Sequence, residues 1–569
     1  MRAPLLVLLV ACGSEPDTTP DRPHDSRPTA DDAGSADTGT WTADALVPPD
    51  DLQPPQADDT SANGDTGEIE VIGAWDDDLD KDGWSIGEGD CDDADPIVHP
   101  GYEEVPGNGV DEDCDGSDVG PTLRLDAAAW SFQGLANNQV GYAVEFAGDT
   151  NGDGVQEAIA GAPDGGGVDW NGYQARGYLV DLAGTATAGT ARATIVPDEY
   201  NSGSGKVVAG GGDLNGDGYD DVAFGMWYSD AWDDYANITG GQVLVYFGPL
   251  SGTLREVDAD VRLHGTTGPI QFGLAVSMPP SETIDGGVDL LIGAPDSGGI
   301  GTAYLWQSLD GGTQTQDDAT VIFRGESLDG RAGWNAQSAG DLNADGVGDL
   351  YIPELESDYG GDMSGRVFLA TGPFEGEIDL ESAYPSLVGE GESSNAGMDV
   401  SPAGDVDFDG YDDVLIGGHM DPEVGTRAGK AWLVHGPVSS SQSLLDADAR
   451  FLPERDYEWF GYSVVGMGDA NGDGSLDIAI GAPRYDADYY LDYPGKVYIY
   501  STPLSGTILA ADASLVIQGE GIGDWAGAAL DGGRDIDLDG RPDLLVSGSL
   551  RDDVSHEAGK LYLLTGLEY

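Results

Sequence analysis

From about residue 123 onward, short apolar runs alternate with breaks rich in glycine and aspartate. One kind of run opens on glycine: "GQVLVYFG", "GTAYLW", "GRVFLATG", "GKAWLVHG", "GKVYIY" and "GKLYLLTG". A second kind follows an acidic loop and ends in Gly-Ala-Pro or a relic of it, as at Gly161, Gly293 and Gly481. A third carries a Phe-Gly or Gly-aromatic pair ahead of that loop, as at Phe272 and Phe460. A fourth closes on glycine before the next set, as in "DVRLHG" and "SLVIQG". Runs this short, with glycine and aspartate at their ends, read as strands rather than helices. The set of four recurs seven times, and no set can bury both faces by itself. That predicts an all-β fold, a seven-bladed β-propeller over residues 123–569. An open β-solenoid is the alternative, and the period is long for one. The run "AAAWSFQG", Ala127 to Gly134, resembles a fourth strand with no blade ahead of it. It is expected to pair as the outer strand of the last blade, so that the start of the ring fastens its end.

The acidic loops repeat with the strands. Asp213, Asn215, Asp217 and Asp221 stand at positions 1, 3, 5 and 9 of "DLNGDGYDD", with Gly218 at position 6. The same positions hold Asp149, Asn151, Asp153 and Glu157; Asp341, Asn343, Asp345 and Asp349; and Asp405, Asp407, Asp409 and Asp413. They hold Asp469, Asn471, Asp473 and Asp477 in the next copy, and Asp535, Asp537, Asp539 and Asp543 in the last. First positions recur every 64 to 66 residues, with one gap of 128. The copy in that gap is degenerate: Ser281, Thr283, Asp285 and Asp289 align, so weak metal binding or none is expected there. Alternate side-chain oxygens, a carbonyl at position 7 and a glycine that lets the chain turn back suit a hard cation, calcium above all. About six such ions are expected in the propeller. An EF-hand would flank its loop with helices and end in Glu at position 12; here strands flank it and position 9 closes it. The ions are expected to pin hairpins rather than to touch a ligand.

The residues ahead of the strands differ in kind. Residues 12–74 are rich in Pro, Thr, Asp, Ser and Ala, with Trp41 the lone aromatic, and are expected to form a disordered acidic tether. Residues 75–118 carry two carboxylate ladders, Asp78, Asp80, Asp82 before Gly83 and Asp111, Asp113, Asp115 before Gly116. Cys91 and Cys114 lie in this segment and are expected to pair in an exported protein, closing a unit with almost no core. Residues 1–11 are a short apolar leader, too short to span a bilayer, that ends at Cys12.

Charge narrows the function. With 105 acidic residues against 23 basic ones the net charge is -82, which repels nucleic acid and anionic membranes. No His-Glu-x-x-His or phosphate-loop pattern occurs, and no catalytic constellation is visible. The connections between second and third strands are long and aromatic. They hold Trp170 and Tyr173; Trp227, Tyr228, Trp232 and Tyr235; and Tyr485, Tyr489, Tyr490 and Tyr493. Such residues beside Asp and Asn suit recognition of a sugar or a protein.

These motifs carry three resemblances. The repeated units resemble the FG-GAP repeats of the integrin α-subunit propeller and of bacterial surface proteins. That implies calcium in the loops between first and second strands, and ligands on the opposite rim. Residues 75–118 resemble the MopE-like and thrombospondin-type-3-like acidic metal-binding modules, except that Pro106 stands where that family has a further cysteine. Some members are described as copper-binding; the hard oxygen ligands here point to calcium, with His99 a weak basis for copper. Leu9-Val10-Ala11-Cys12 resembles a bacterial lipobox, which implies cleavage before Cys12 and a lipid on it. Together these lead us to expect a lipid-anchored bacterial cell-surface or outer-membrane protein that binds an extracellular protein or polysaccharide. A propeller hydrolase or lyase, and a structural or cation-buffering envelope component, are the alternatives.

Overall fold

The computed structural model describes residues 122–135, 138–163, 175–182, 190–198, 204–227, 240–266, 270–279, 288–309, 311–486, 493–521, 523–549 and 558–569, and the backbone of 186–187. Seven sheets stand around one axis. Their first strands are Val144–Gly148, Val208–Gly212, Ala275–Ser277, Gln337–Gly340, Asp399–Gly404, Val464–Gly468 and Ala526–Arg534, in blades 1 to 7. Each first strand packs against that of the next blade, and the seventh returns to the first, so the ring is closed. The seven-bladed all-β propeller expected from the repeats is the observed fold.

Apolar side chains form seven clusters, and each lies between two neighbouring blades. The strand Gln242–Tyr246 shows why its sequence is a continuous apolar run. Val243 and Val245 join the cluster against blade 3, whereas Leu244 and Tyr246 join the one against blade 1. Both faces are buried, so the two-residue period divides two interfaces rather than core from solvent.

The Phe-Gly and Gly-Ala-Pro signatures meet across these interfaces. A Cβ placed on Gly161, Gly225, Gly293, Gly417 or Gly481 would run into the carbonyl of Gly205, Gly273, Gly333, Gly461 or Gly527 in the following blade. Glycine is required there because backbone touches backbone.

Each sheet has five strands where the sequence predicts four. The fifth is lent by the next unit and runs parallel on the outer edge: Gly252–Arg255 on Ala193–Val196, Gly312–Thr315 on Val261–His264, and so on round the ring. A short helical turn then leads into the lender's own fourth strand, as at Glu256–Asp258 before Val261–His264. These edge strands are largely exposed, which is why no hydrophobic alternation announces them.

At the seam the segment from Thr122 to Gln133 does both jobs for the missing end of unit 7. Thr122–Arg124 is the parallel fifth strand of blade 6, and Trp130–Gln133 pairs antiparallel with Lys560–Leu564 as the fourth strand of blade 7. The expected closure by Ala127–Gly134 is present, with one more strand than foreseen. Cys12, expected to carry a lipid, Cys91 and Cys114, expected to pair, and the ladders Asp78, Asp80, Asp82, Asp111, Asp113 and Asp115 lie outside the described residues. Among the described residues no helix is long and apolar enough to cross a membrane.

Candidate metal loops and the opposite rim

The acidic loops join first to second strands, so they share one face of the ring with the connections from third to fourth strands. The loop of blade 2 shows how the sequence shapes itself. Asp213 Oδ1 accepts from the N–H groups of Gly216 at 2.7 Å and Asp217 at 3.1 Å, and its Oδ2 accepts from Gly218 at 2.7 Å. Asn215 Oδ1 accepts from Asp217 N–H at 2.8 Å, and Asp217 Oδ1 accepts from Tyr219 N–H at 3.0 Å. The first-position carboxylate takes the N–H of the sixth residue in every one of the six full copies, at Gly154, Gly218, Gly346, Gly410, Gly474 and Gly540. All six glycines have positive φ. The side chains at positions 1, 3 and 5 thus fold the loop as well as offering lone pairs.

Position 9 opens the second strand and is buried. Asp221 Oδ2 accepts from Leu214 N–H and its Oδ1 from Gly248 N–H, both at 2.8 Å. Asp349 and Asp413 repeat this with Leu342 and Gly372, and with Val406 and Gly436. Burial pushes the carboxyls of Asp221 and Asp349 up to about 7 and those of Asp413 and Asp543 up to about 6; neighbouring loop acids add to it. A negative charge held out of water among other negative charges calls for a cation.

Two observations test whether a metal fits. Carboxylate oxygens of Asp405, Asp407 and Asp413 lie within 4.8 Å of one another, as do those of Asp535, Asp537 and Asp539. Asp469 Oδ1 and Asp543 Oδ1 are buried oxygens with no hydrogen-bond donor. Both fit a small hard cation held by oxygen. The degenerate loop at Ser281, Thr283 and Asp285 lies outside the described residues; its Asp289 is buried at the strand start like its counterparts.

Blade 1 departs from the pattern. Its Asp149 folds the loop in the same way, but Glu157 Oε2 takes Thr150 N–H at 2.9 Å and Thr150 Oγ1 at 2.6 Å. Arg192 reaches into the loop, with Nη2 2.9 Å from Asp153 and Nε 3.6 Å from Glu157. Sequence reading missed Arg192 because it lies 35 residues beyond the loop's last member, Glu157.

The rim away from the loops carries the connections between second and third strands and those between blades. Of the aromatics predicted there, Trp227 and Tyr485 are buried, at 7% and 6% exposure, with Lys206 over the Trp227 ring and Arg455 and Lys496 over that of Tyr485. Tyr493 is half-buried. Trp170, Tyr173, Tyr228, Trp232, Tyr235, Tyr489 and Tyr490 lie outside the described residues. A cluster of which sequence reading named only Tyr493 spans blades 5 to 7. The Trp459 ring stacks on Tyr462 at 5.6 Å and meets Trp525 edge-on at 5.7 Å and His419 at 5.5 Å. The Arg484 guanidinium sits 4.6 Å from the rings of both Trp459 and Tyr493. Trp459 Nε1, His419 Nδ1 and Arg484 Nε are buried without a hydrogen-bond partner. Trp459 and Trp525 each precede the Phe-Gly position or its relic, and the same place has positive φ at Gln139, Gln271, Arg331, Asn395, Trp459 and Trp525. A bulky aromatic in that strained place was the available signal.

At the hub, Asp531 Oδ2 accepts from Phe146 N–H of blade 1 at 2.7 Å and its Oδ1 from Gly532 N–H at 2.9 Å. Burial, then the charge of Asp531, raises the Glu145 carboxyl well above its usual range, and Arg534 partly offsets this. Asp399 Oδ2 takes Val464 N–H at 2.8 Å and Ser401 Oγ takes Gly466 N–H at 3.2 Å, which ties blade 5 to blade 6.

Comparison with known proteins agrees with this architecture. Residues 460–500, in blade 6, match the FG-GAP repeat, and residues 90–118 match a putative metal-binding motif of the copper-binding MopE type. The latter contains Asp111, Asp113 and Asp115 and leaves Asp78, Asp80 and Asp82 outside it. The chain is 35% identical over 170 residues to integrin alpha-7 of Rattus norvegicus, covering 30% of this chain and 14% of that protein. It is 33% identical to integrin alpha-6 of Gallus gallus over 169 residues and to integrin alpha-3 of Cricetulus griseus over 154. These cover 29% and 26% of this chain and 14% of each relative, so the likeness concerns a small part of those proteins.

Proposed function

Taking as premise that the chain is a seven-bladed propeller of FG-GAP repeats, similar in part to integrin α chains, we propose a calcium-stabilised binding protein of the bacterial cell surface. The scaffold is of the binding type. In this reading the acidic loops hold calcium and fasten hairpins, and the opposite rim meets an extracellular protein or polysaccharide. The observation that carries the reading is the division of the two faces. One face carries the repeated acidic loops, whereas the other carries the half-buried Trp525, Tyr493 and Arg484 around the buried Trp459, with Trp459 Nε1 and Arg484 Nε left without a hydrogen-bond partner. Aromatic faces beside a guanidinium suit stacking on a sugar ring or burial of a partner's side chain. The lipobox at Cys12 supplies the anchor in this proposal, residues 12–74 the tether, and residues 75–118 a second metal-binding module. The MopE-type match leaves copper as an alternative occupant of that module.

One observation favours a second reading, a hydrolase or lyase: Glu145, Asp531 and Arg534 meet at the hub. Both oxygens of Asp531 are already engaged by backbone N–H groups, so the trio serves better as a latch between blades 7 and 1.

The test is a glycan and protein array probed with the full chain, with and without chelator. A partner is expected whose retention falls at least tenfold in Arg484→Ala and Trp525→Ala, with melting curves unchanged. A partner bound equally by both variants overturns the rim assignment.

A further inference from the structure

The six full loops are alike in sequence but not in what stands over them. Arg192 precedes the fourth strand of blade 1. Its N–H donates to Leu179 O at 2.9 Å, and its carbonyl accepts from Gly252 N–H at 2.8 Å. Asp260 occupies the same place in blade 2, donating to Val245 O at 2.9 Å and accepting from Gly312 N–H at 2.7 Å. Asp448 has it in blade 5, accepting from Gly506 N–H at 2.7 Å. Those aspartates cap the backbone N–H of Phe247 and His435. Blade 1 therefore carries a fixed cation where blades 2 and 5 carry an acid, and the side chain turns toward the loop.

There the guanidinium meets three carboxylates: Asp153 at 2.9 Å, Glu157 at 3.6 Å and Asp181 at 2.5 Å. Asp181 pairs across the sheet with Glu157, at the place Ser501 holds opposite Asp477. The loop's own ligands are also drawn together, since Asn151 Nδ2 donates to Glu157 Oε1 at 2.5 Å. Calcium needs oxygens from positions 1, 3, 5 and 9 converging at 2.3–2.6 Å. Here positions 5 and 9 already face a permanent positive charge, and position 3 turns its amide nitrogen toward position 9. The residues of this loop do not fit the ion that their spacing implies.

We propose that the blade-1 loop takes no divalent ion, because Arg192 supplies the cation from within the chain. This rests on the calcium reading of the other loops. Its consequence is that blade 1, which follows the seam of the ring, keeps its first hairpin folded when the metal is gone.

Native mass spectrometry of the full chain in calcium counts the ions, and the change between variants removes any contribution from residues 75–118. Asp153, with 43% of its side chain exposed, can be changed without disturbing a core. Asp217→Asn in blade 2 is expected to lose one ion, Asp153→Asn to lose none, and Arg192→Gln to gain one. Loss of an ion in Asp153→Asn overturns the proposal, even if Arg192→Gln fails to fold. No loss in Asp217→Asn defeats the calcium reading itself, a separate result.

Discussion

Within a loop, position 4 is the place where sequence and backbone disagree. It is glycine in three of the full copies, but Ala344, Phe408 and Leu538 adopt the same positive φ of 55°, 62° and 63°. Leu538 is 84% exposed and gains nothing from burial. The left-handed conformation costs a residue with a Cβ about 1–2 kcal/mol, partly offset by the stiffer unfolded chain. Leu538→Gly is expected to stabilise the protein by about 0.5–1 kcal/mol, read as a higher denaturation midpoint at unchanged slope. The loop acids were legible because their oxygens must recur at fixed spacing to fold the turn at all. Arg192 was not, since a residue that reaches a loop through the sheet leaves no local period. The rim residues Trp459, Arg484 and Trp525 were hidden likewise, because three connections well apart in sequence bring them together.

Among the elements, the strongest constraint is the contact between Gly-Ala-Pro and the Phe-Gly of the next blade. Gly293→Ala would press a methyl on the Gly333 carbonyl and is expected to cost about 2–3 kcal/mol. Gly391→Ala, whose methyl would meet open space at ordinary φ, is expected to stay within about 0.5 kcal/mol. Chemical denaturation of both variants checks the pair; equal losses would remove the close approach as the reason for the motif. The seven units were legible largely for this reason, since glycine stands at this contact in five of them, with Pro353 and Ser547 in the other two. The lent fifth strand was not. Gly252–Arg255 and Gly312–Thr315 expose most of their side chains, so hydrophobic patterning passes over them. Their signal was a repeated aspartate a few residues on: Asp258, Asp318 and Asp512 accept the N–H of Arg255, Thr315 and Leu509 and start the turn.

For the whole ring, metal and closure act on the same cooperative unit. If five loops bind calcium at a hundredfold excess over Kd, each adds about 2.7 kcal/mol. A chelator is then expected to lower the melting midpoint by roughly ten degrees or more, since stability of that order is lost from a large domain. Scanning calorimetry with and without EDTA, alongside limited proteolysis, checks this; an unchanged midpoint would leave the loops folded by their own hydrogen bonds alone. The seam has a mechanical side. Tension arriving along the chain at Thr122 first meets the short parallel pairing of Thr122–Arg124 with Val516–Gln518. That strip only edges a blade already complete in four strands, so it can peel off and leave the wheel shut. Only then must Trp130–Gln133 be dragged from between Lys560–Leu564 and Ala186–Thr187. The propeller thus carries a sacrificial link ahead of its lock, and a sudden pull spends the link first.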